Sequence, residues 1–201
     1  MNRGQLIAFE GLDGCGKSTQ VRRLAAALRA AGHDVLETRE PTNGEYGQRI
    51  RSLAKSGGSV SPAEELSWFV ADRREHVAAV LEPALSAGRV VICDRYFLST
   101  VAYQGARGAD ADEVLESSEA EFPIPDLVVL LEISPDAGLA RVHERGLAIE
   151  THFEDAEYLT AVDAIFRRID RPYLVRIDGS LDTDAVESAV AECVAGRLRL
   201  P

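Results

Sequence analysis

The segment Gly11-Leu12-Asp13-Gly14-Cys15-Gly16-Lys17-Ser18 fits the pattern G-x-x-x-x-G-K-[ST]. An apolar run, 6–9, precedes it, and a helical pattern, 21–28, follows it. Strand, glycine loop and helix in that order make a phosphate-binding loop. The glycines let backbone N–H groups turn inward around phosphate oxygens, Lys17 brings a point charge to the β- and γ-phosphates, and the Ser18 hydroxyl can ligate Mg²⁺. A second group follows the apolar run 90–93, where Asp94-Arg95-Tyr96 stands. A carboxylate at a strand end beside a phosphate loop suits holding a metal ion and its waters, and the neighbouring guanidinium forks onto phosphate. A purely structural Asp–Arg pair is the plainer account, and the nearby phosphate loop weakens it.

Other candidates are weaker when taken singly. Phe69 and Arg73 lie four apart on a predicted helix and share a face, where a ring and a fork would suit a nucleobase. On spacing alone, a core phenylalanine and a surface arginine are favoured. Arg39, before Glu40 and Pro41, and Arg51 could gather a second phosphate, although each alone reads as a solvated charge. Thr100 and Tyr103 are three apart, and the Gln104 amide both donates and accepts. A base edge or an ordinary helix surface would use them equally well. Cys15 reads more readily as a small filler than as a reactive thiol.

Apolar, β-branched runs at 6–9, 35–38, 90–93, 127–133 and 173–177 predict strands covered on both faces. Helices are predicted over 17–31, stopped by Gly32, over 46–54, over 61–86 with a kink at Pro83, from Ser134-Pro135, and over 182–197. The acidic stretch 110–121 reads as a solvated helix face. The expected fold is a doubly wound α/β domain over 1–201: a five-stranded parallel sheet, helices on both faces, and ligands at the carboxyl ends of the strands. No repeat or linker divides it.

The 201 residues carry a formal net charge of -11, a poor match for a nucleic-acid polymer or an anionic membrane. No apolar run is long enough to cross a membrane and no signal-peptide pattern opens the chain, so a cytoplasmic protein is expected. The three cysteines, Cys15, Cys93 and Cys193, form no C-x-x-C pair, which favours reduced thiols.

Together these segments resemble the thymidylate kinase family over nearly the whole chain. Phe9 to Gln20 is similar to its phosphate loop, Arg39-Glu40-Pro41 to its second motif, and 69–73 to its base-binding helix. The segment 94–105 resembles its most diagnostic stretch, and Asp178-Gly179-Ser180 resembles the turn beside the adenine of ATP. The resemblance implies phosphorylation of dTMP by ATP with Mg²⁺ in a homodimer. It implies that Gly11, Asp13, Gly14, Cys15, Gly16, Lys17, Ser18 and Thr19 hold the donor phosphates, with Ser18 and Asp94 at the metal. Phe69 would stack on thymine, Arg73 would bond O4, and Thr100 and Gln104 would face the rest of the base edge. Tyr103 would disfavour a ribose hydroxyl, Asp13 would reach the 3′-hydroxyl, and Arg39, Pro41, Arg51 and Arg95 would surround the dTMP phosphate.

Two departures stand out. Many members carry Glu-Pro-Gly-Gly-Thr where this chain has Glu40-Pro41-Thr42-Asn43-Gly44, so a different loop shape is expected. The lid, about 143–155, carries Thr151-His152-Phe153-Glu154 where Asp-Arg-Phe-Glu is common, and Gly14 occupies a position where some members place a catalytic arginine. Arg145 is the first candidate for the missing charge and Arg141 the second. A deoxynucleoside kinase acting on thymidine is the nearest alternative. A P-loop NTPase switch is another, but the chain lacks an Asn-Lys-x-Asp guanine-recognition segment.

Overall fold

The computed structural model describes residues 3–56, 58–144 and 156–198. Five parallel strands, β1 (Gln5–Glu10), β2 (Val35–Arg39), β3 (Val90–Asp94), β4 (Leu127–Glu132) and β5 (Leu174–Asp178), form one sheet in the order β2-β3-β1-β4-β5. The five predicted strands are all present. The register brings their carboxyl ends level: Phe9 and Arg39 both pair with Asp94, and Glu132 pairs with Asp178. Loops leaving those ends therefore converge on one edge of the sheet, as expected for a doubly wound fold.

Alternation along β1 divides the core. Leu6 and Ala8 face one layer, and Ile7 and Phe9 face the other. Helices α1 (Lys17–Ala30) and α9 (Thr183–Arg197) cover the second face through Val21, Leu24 and Leu28 and through Val186, Val190 and Val194. The first face receives α3 (Pro62–His76), α4 (Glu82–Ser86), α5 (Phe97–Gly105), α6 (Ala111–Glu121) and α8 (Ala156–Arg168), whereas α2 (Glu45–Ser56) packs on α3. Helix α7 (Pro135–Glu144) follows β4. The central strands β1, β3 and β4 are buried almost throughout; β2 and β5, at the sheet edges, are only partly covered. Asp110 and Asp182 cap α6 and α9 by accepting backbone N–H groups, and α6 presents the acidic face that its sequence suggests.

The predicted helix 61–86 is corrected in one respect. The break falls before Pro83, not at it: α3 ends at His76 and a wide π turn, Val77–Leu81, leads into α4. Proline cannot donate to a carbonyl four residues back, and its ring crowds that carbonyl. The wider turn, in which the Glu82 N–H reaches the Val77 carbonyl, relieves the conflict. Helix α8 is an element the sequence expectations omit, although Leu159, Val162 and Phe166 share its buried face.

Arg176 of β5 fixes the end of α8. Its Nη2 donates to the carbonyls of Phe166 (2.9 Å), Arg167 (3.2 Å) and Ile169 (2.7 Å), and Nη1 pairs with Glu132 at 2.6 Å. Terminal helix carbonyls lack partners within the helix, and a cation there also meets the negative end of the helix dipole. Arg176→Met should cost about 1–3 kcal/mol of stability by urea unfolding with an unchanged m-value, since several hydrogen bonds to a charged group are lost.

Candidate active site

The phosphate loop runs from β1 into α1. At Gly14 the backbone φ is 81°, and an added Cβ would lie 2.3 Å from the Gly138 carbonyl oxygen on α7. A side chain at position 14 is thus excluded by both the left-handed backbone and the packing of α7. The absent arginine has a steric cause. Lys17 is buried, and its Nζ donates to the carbonyls of Gly11 (2.9 Å) and Leu12 (2.7 Å). Cys15 is buried with its Sγ 3.6 Å from the Lys17 Nζ, matching the filler reading. Ser18 Oγ donates to Asp94 Oδ2 at 2.5 Å, so the two oxygens assigned to the metal do stand together. Among the described residues no cluster of three or more His, Cys, Asp or Glu side chains forms a metal cage. A hard oxygen pair beside a phosphate loop fits Mg²⁺, which usually takes one or two protein ligands and completes its shell with phosphates and water.

Arg95 joins the loop to the opposite wall. Its backbone lies at φ 69°, rare for a residue with a side chain. Its guanidinium donates to Asp13 Oδ1 at 2.6 Å, Ser99 Oγ at 3.0 Å and the Gly11 carbonyl at 3.2 Å, and lies 5.1 Å from the Tyr103 ring centroid. Asp13 keeps 46% of its side-chain surface but sits within a cleft of the fold. Burial there would raise its carboxyl, yet the charges of Arg95 and Lys17 outweigh it and bring the pKa down to about 2. Burial opposes the charge on Arg95 as well; Asp13, Tyr103, Asp94 and Glu10 reverse that and push it up.

Asp13, Arg39, Pro41, Arg51, Phe69, Arg95 and Tyr103 line a cavity of about 210 Å³, bringing together most of the residues assigned to the acceptor. Arg51 Nη1 donates to the Pro41 carbonyl at 3.0 Å, and exposed Arg39 donates through Nη2 to Asn43 Oδ1 at 3.5 Å. The variant loop is latched from below: Thr42 donates to buried Asp72 through its backbone N–H (2.8 Å) and its hydroxyl (2.6 Å). Phe69 lies on the cavity wall, not in the core, and Arg73 is 1% exposed, not a surface charge. Arg73 Nη2 donates to Thr100 Oγ1 at 2.8 Å. Arg73, Thr100 and Gln104 do not themselves line the cavity; they are buried behind Glu40, Ser99 and Tyr103, which do. Arg73 Nη1 and both polar atoms of the Gln104 amide have no partner among the described residues.

A second cavity, of about 730 Å³, collects Cys15, Gly16, Thr19, Arg141, Gly179 and Ser180. Arg141 donates to the carbonyls of Gly179 (2.8 Å) and Ser180 (3.3 Å), which ties it to the 178–180 turn. Asp178 accepts the Ser180 N–H at 2.8 Å, and hydrogen bonding from the Ser180 side chain and then its backbone lowers the Asp178 pKa. Arg145 and 151–154 lie outside the described residues.

Sequence reasoning passed over several residues that hold the site. Glu10, Glu40, His76, Asp72 and Ser99 are all buried and polar; Glu10 ends β1 and Glu40 directly follows β2, and both lie in segments already singled out for other residues. Glu10 accepts the backbone N–H groups of Tyr96 (2.9 Å) and Ser99 (3.1 Å) and the Ser99 hydroxyl, holding the start of α5.

These features define a P-loop nucleoside monophosphate kinase: a parallel sheet opening on a phosphate loop, with a cationic acceptor cleft across from it. A family model described as thymidylate kinase matches residues 9–190. The chain is 45% identical over 199 residues to a thymidylate kinase of Desulfotalea psychrophila, covering 99% of this chain and 98% of that one. It is 47% identical over 183 residues to the thymidylate kinase of Xanthomonas euvesicatoria pv. vesicatoria, covering 91% and 80%, and 44% identical over 201 residues to that of Xanthomonas campestris pv. campestris, covering 98% and 87%. The chain belongs to the thymidylate kinase family.

Burial raises the Glu10 carboxyl from 4.5 to about 7, although hydrogen bonds from Ser99 and the Arg95 charge pull the other way. The folded protein therefore holds this proton more tightly than the unfolded chain does. The stability this contributes is full below pH 4.5 and is lost as pH rises through 7, about 3 kcal/mol in all. Glu10→Gln should remove that component, so the stability difference between variant and wild type should shift in favour of the variant from pH 4.5 to pH 8 in urea titrations.

Proposed function

We propose that this chain transfers the γ-phosphoryl group of ATP directly to dTMP, with Mg²⁺ at Ser18 and Asp94, as a cytoplasmic homodimer whose 1–201 forms one kinase domain with a lid at about 143–155. The observation that carries the base assignment is the set of unpartnered buried groups, Arg73 Nη1 and the Gln104 amide, beside a Phe69-lined cavity. Thymine presents the complementary edge, with two carbonyl acceptors flanking an N–H donor. Unpaired buried polar groups are costly, so a ligand that pairs them gains accordingly.

The acceptor needs no proton removed. A phosphate monoester has a second pKa of about 6, so its oxygen is already anionic near neutrality. The task is to bring two anions into line and stabilise charge spreading over the transferred group. Arg39, Arg51 and Arg95 hold the acceptor phosphate, and Asp13, kept ionised by Arg95, accepts from the sugar 3′-hydroxyl. Tyr103, stacked beside Arg95, crowds the sugar's 2′ carbon. Lys17 releases the Gly11 and Leu12 carbonyls to reach the donor phosphates, while the loop N–H groups cradle them. Ser18 and Asp94 would hold Mg²⁺, which would supply positive charge against the donor phosphates. Arg141 and the 178–180 turn border the adenine.

With position 14 closed to a side chain, the remaining cation comes from the lid. Arg145→Ala should lower kcat about 100-fold or more while leaving the KM for dTMP within about twofold, as expected for a contact made mainly in the transition state. Unchanged turnover would remove Arg145 from the mechanism. A coupled ATP-consumption assay across dTMP, dUMP and thymidine tests the whole reading: dTMP should be the preferred acceptor, and thymidine should be inert. Turnover of thymidine without turnover of dTMP would establish the deoxynucleoside kinase instead.

A further inference from the structure

A polar chain, buried from His76 onward, leads to the acceptor cavity through Glu40: Thr38, His76, Glu40, Arg73, Thr100. Glu40 Oε2 accepts Arg73 Nε at 2.9 Å, and Arg73 Nη2 lies 2.7 Å from the same oxygen. Both contacts therefore end on one oxygen, an arrangement that differs from the two-oxygen fork that normally locks an arginine to a carboxylate. Such a pair can pivot about Oε2 unless the other oxygen is held. Glu40 Oε1 is held by His76 Nδ1 at 2.9 Å. The His76 ring is fixed in turn at Nε2, 2.7 Å from Thr38 Oγ1 on β2. Nδ1 must carry a proton to donate to the carboxylate, so in the neutral ring Nε2 accepts from the threonine. His76, Glu40, Arg73 and Thr100 are at most 6% exposed, so water is a poor substitute for the bonds of Glu40 and Arg73, whereas Thr38 is only partly buried and shares with His76 the wall of a separate cavity of about 670 Å³.

We propose that His76 is a positioning residue for pyrimidine selection: by pinning Glu40 it sets the plane of Arg73 and thus aims the unpartnered Nη1 at a 4-oxo group. This rests on the base assignment above. The chemistry it serves is a distinction between a 4-oxo pyrimidine, which accepts from Nη1, and a 4-amino pyrimidine, which would set donor against donor. His76 touches no reacting atom, so its loss should fall on recognition and leave the transfer step alone.

The test compares wild type, His76→Ala and His76→Asn with dTMP as acceptor and dCMP as competitor at saturating ATP. The asparagine amide can occupy the place of Nδ1 and donate to Glu40. His76→Ala should raise the KM for dTMP about tenfold and shrink the preference for dTMP over dCMP by a similar factor, with kcat and the KM for ATP nearly unchanged; His76→Asn should recover most of the loss. Thr38→Val, which frees the ring at Nε2 with little change in volume, should shift the same ratio less and covers the case in which His76→Ala does not fold. Equal losses in the alanine and asparagine variants, or a fall in kcat with the dTMP preference intact, would overturn the proposal. Wild type failing to turn over dTMP would overturn the base assignment and this proposal together, whereas an active wild type with an unaltered preference in every variant would overturn this proposal alone.

Discussion

Everything in the acceptor site leans on Arg95, a charged residue held in a backbone conformation it would not choose. It directly follows β3, whose last residue pairs with both Phe9 and Arg39, so its guanidinium reaches the phosphate loop, α5 and the sugar side of the cleft at once. The strain at φ 69° persists because the surroundings over-determine it: the Arg95 N–H donates to Phe9, its carbonyl accepts from the Cys93 thiol, and both of its Nη groups are hydrogen-bonded. Glu10 holds the start of the following helix from behind. One consequence is electrostatic. Arg95 keeps Asp13 ionised, and Asp13 keeps Arg95 charged within the cleft, so the loop and the acceptor wall are coupled through a single ion pair.

A chain of net charge -11 must concentrate its cations to gather two anionic substrates. The sheet accomplishes this geometrically, since its strands end level and Arg39, Arg95 and the phosphate loop are all released at the same edge. Beneath that cationic surface lies a layer of buried acids, each committed to an internal task. Glu10 holds α5, Glu40 holds Arg73, and Asp72 holds the Thr42 loop. In this low-dielectric layer an unpaired charge would be costly, and paired charges orient one another firmly. The variant residues Thr42-Asn43-Gly44 are accommodated by this layer, because Thr42 can use both its N–H and its hydroxyl on one carboxylate.

Much of this was legible in the residues. The glycine–lysine spacing, the β-branched runs and the helix starts at 61 and 182 all act locally, within a turn or a strand, so their meaning is available without the fold. Phe69 and Arg73 were ambiguous for the opposite reason. Helical spacing says that they share a face but not what that face meets, and only tertiary packing buried the arginine and put the ring on a cavity wall. The π turn escaped notice because proline announces a disturbance without stating which side of it the helix will yield on. Glu10 and Glu40 stand in quoted motifs that do not reveal their structural tasks, and His76 stands in none; their partners lie 33 to 89 residues away in the chain.

The sequence by itself determined the class of chemistry: a phosphate loop, a metal-competent Ser18 and Asp94, and strands whose pattern demands a covered parallel sheet. Tertiary structure decided which charges are available and which are spent. It closed position 14 with the α7 backbone, tied Arg141 to the 178–180 turn, paired Asp13 with Arg95, and left Arg73 Nη1 and the Gln104 amide buried without a partner among the described residues. The reason is physical. Whether a polar group binds a ligand or a neighbour depends on burial and on contacts between distant segments, and these come into being only when the strands align.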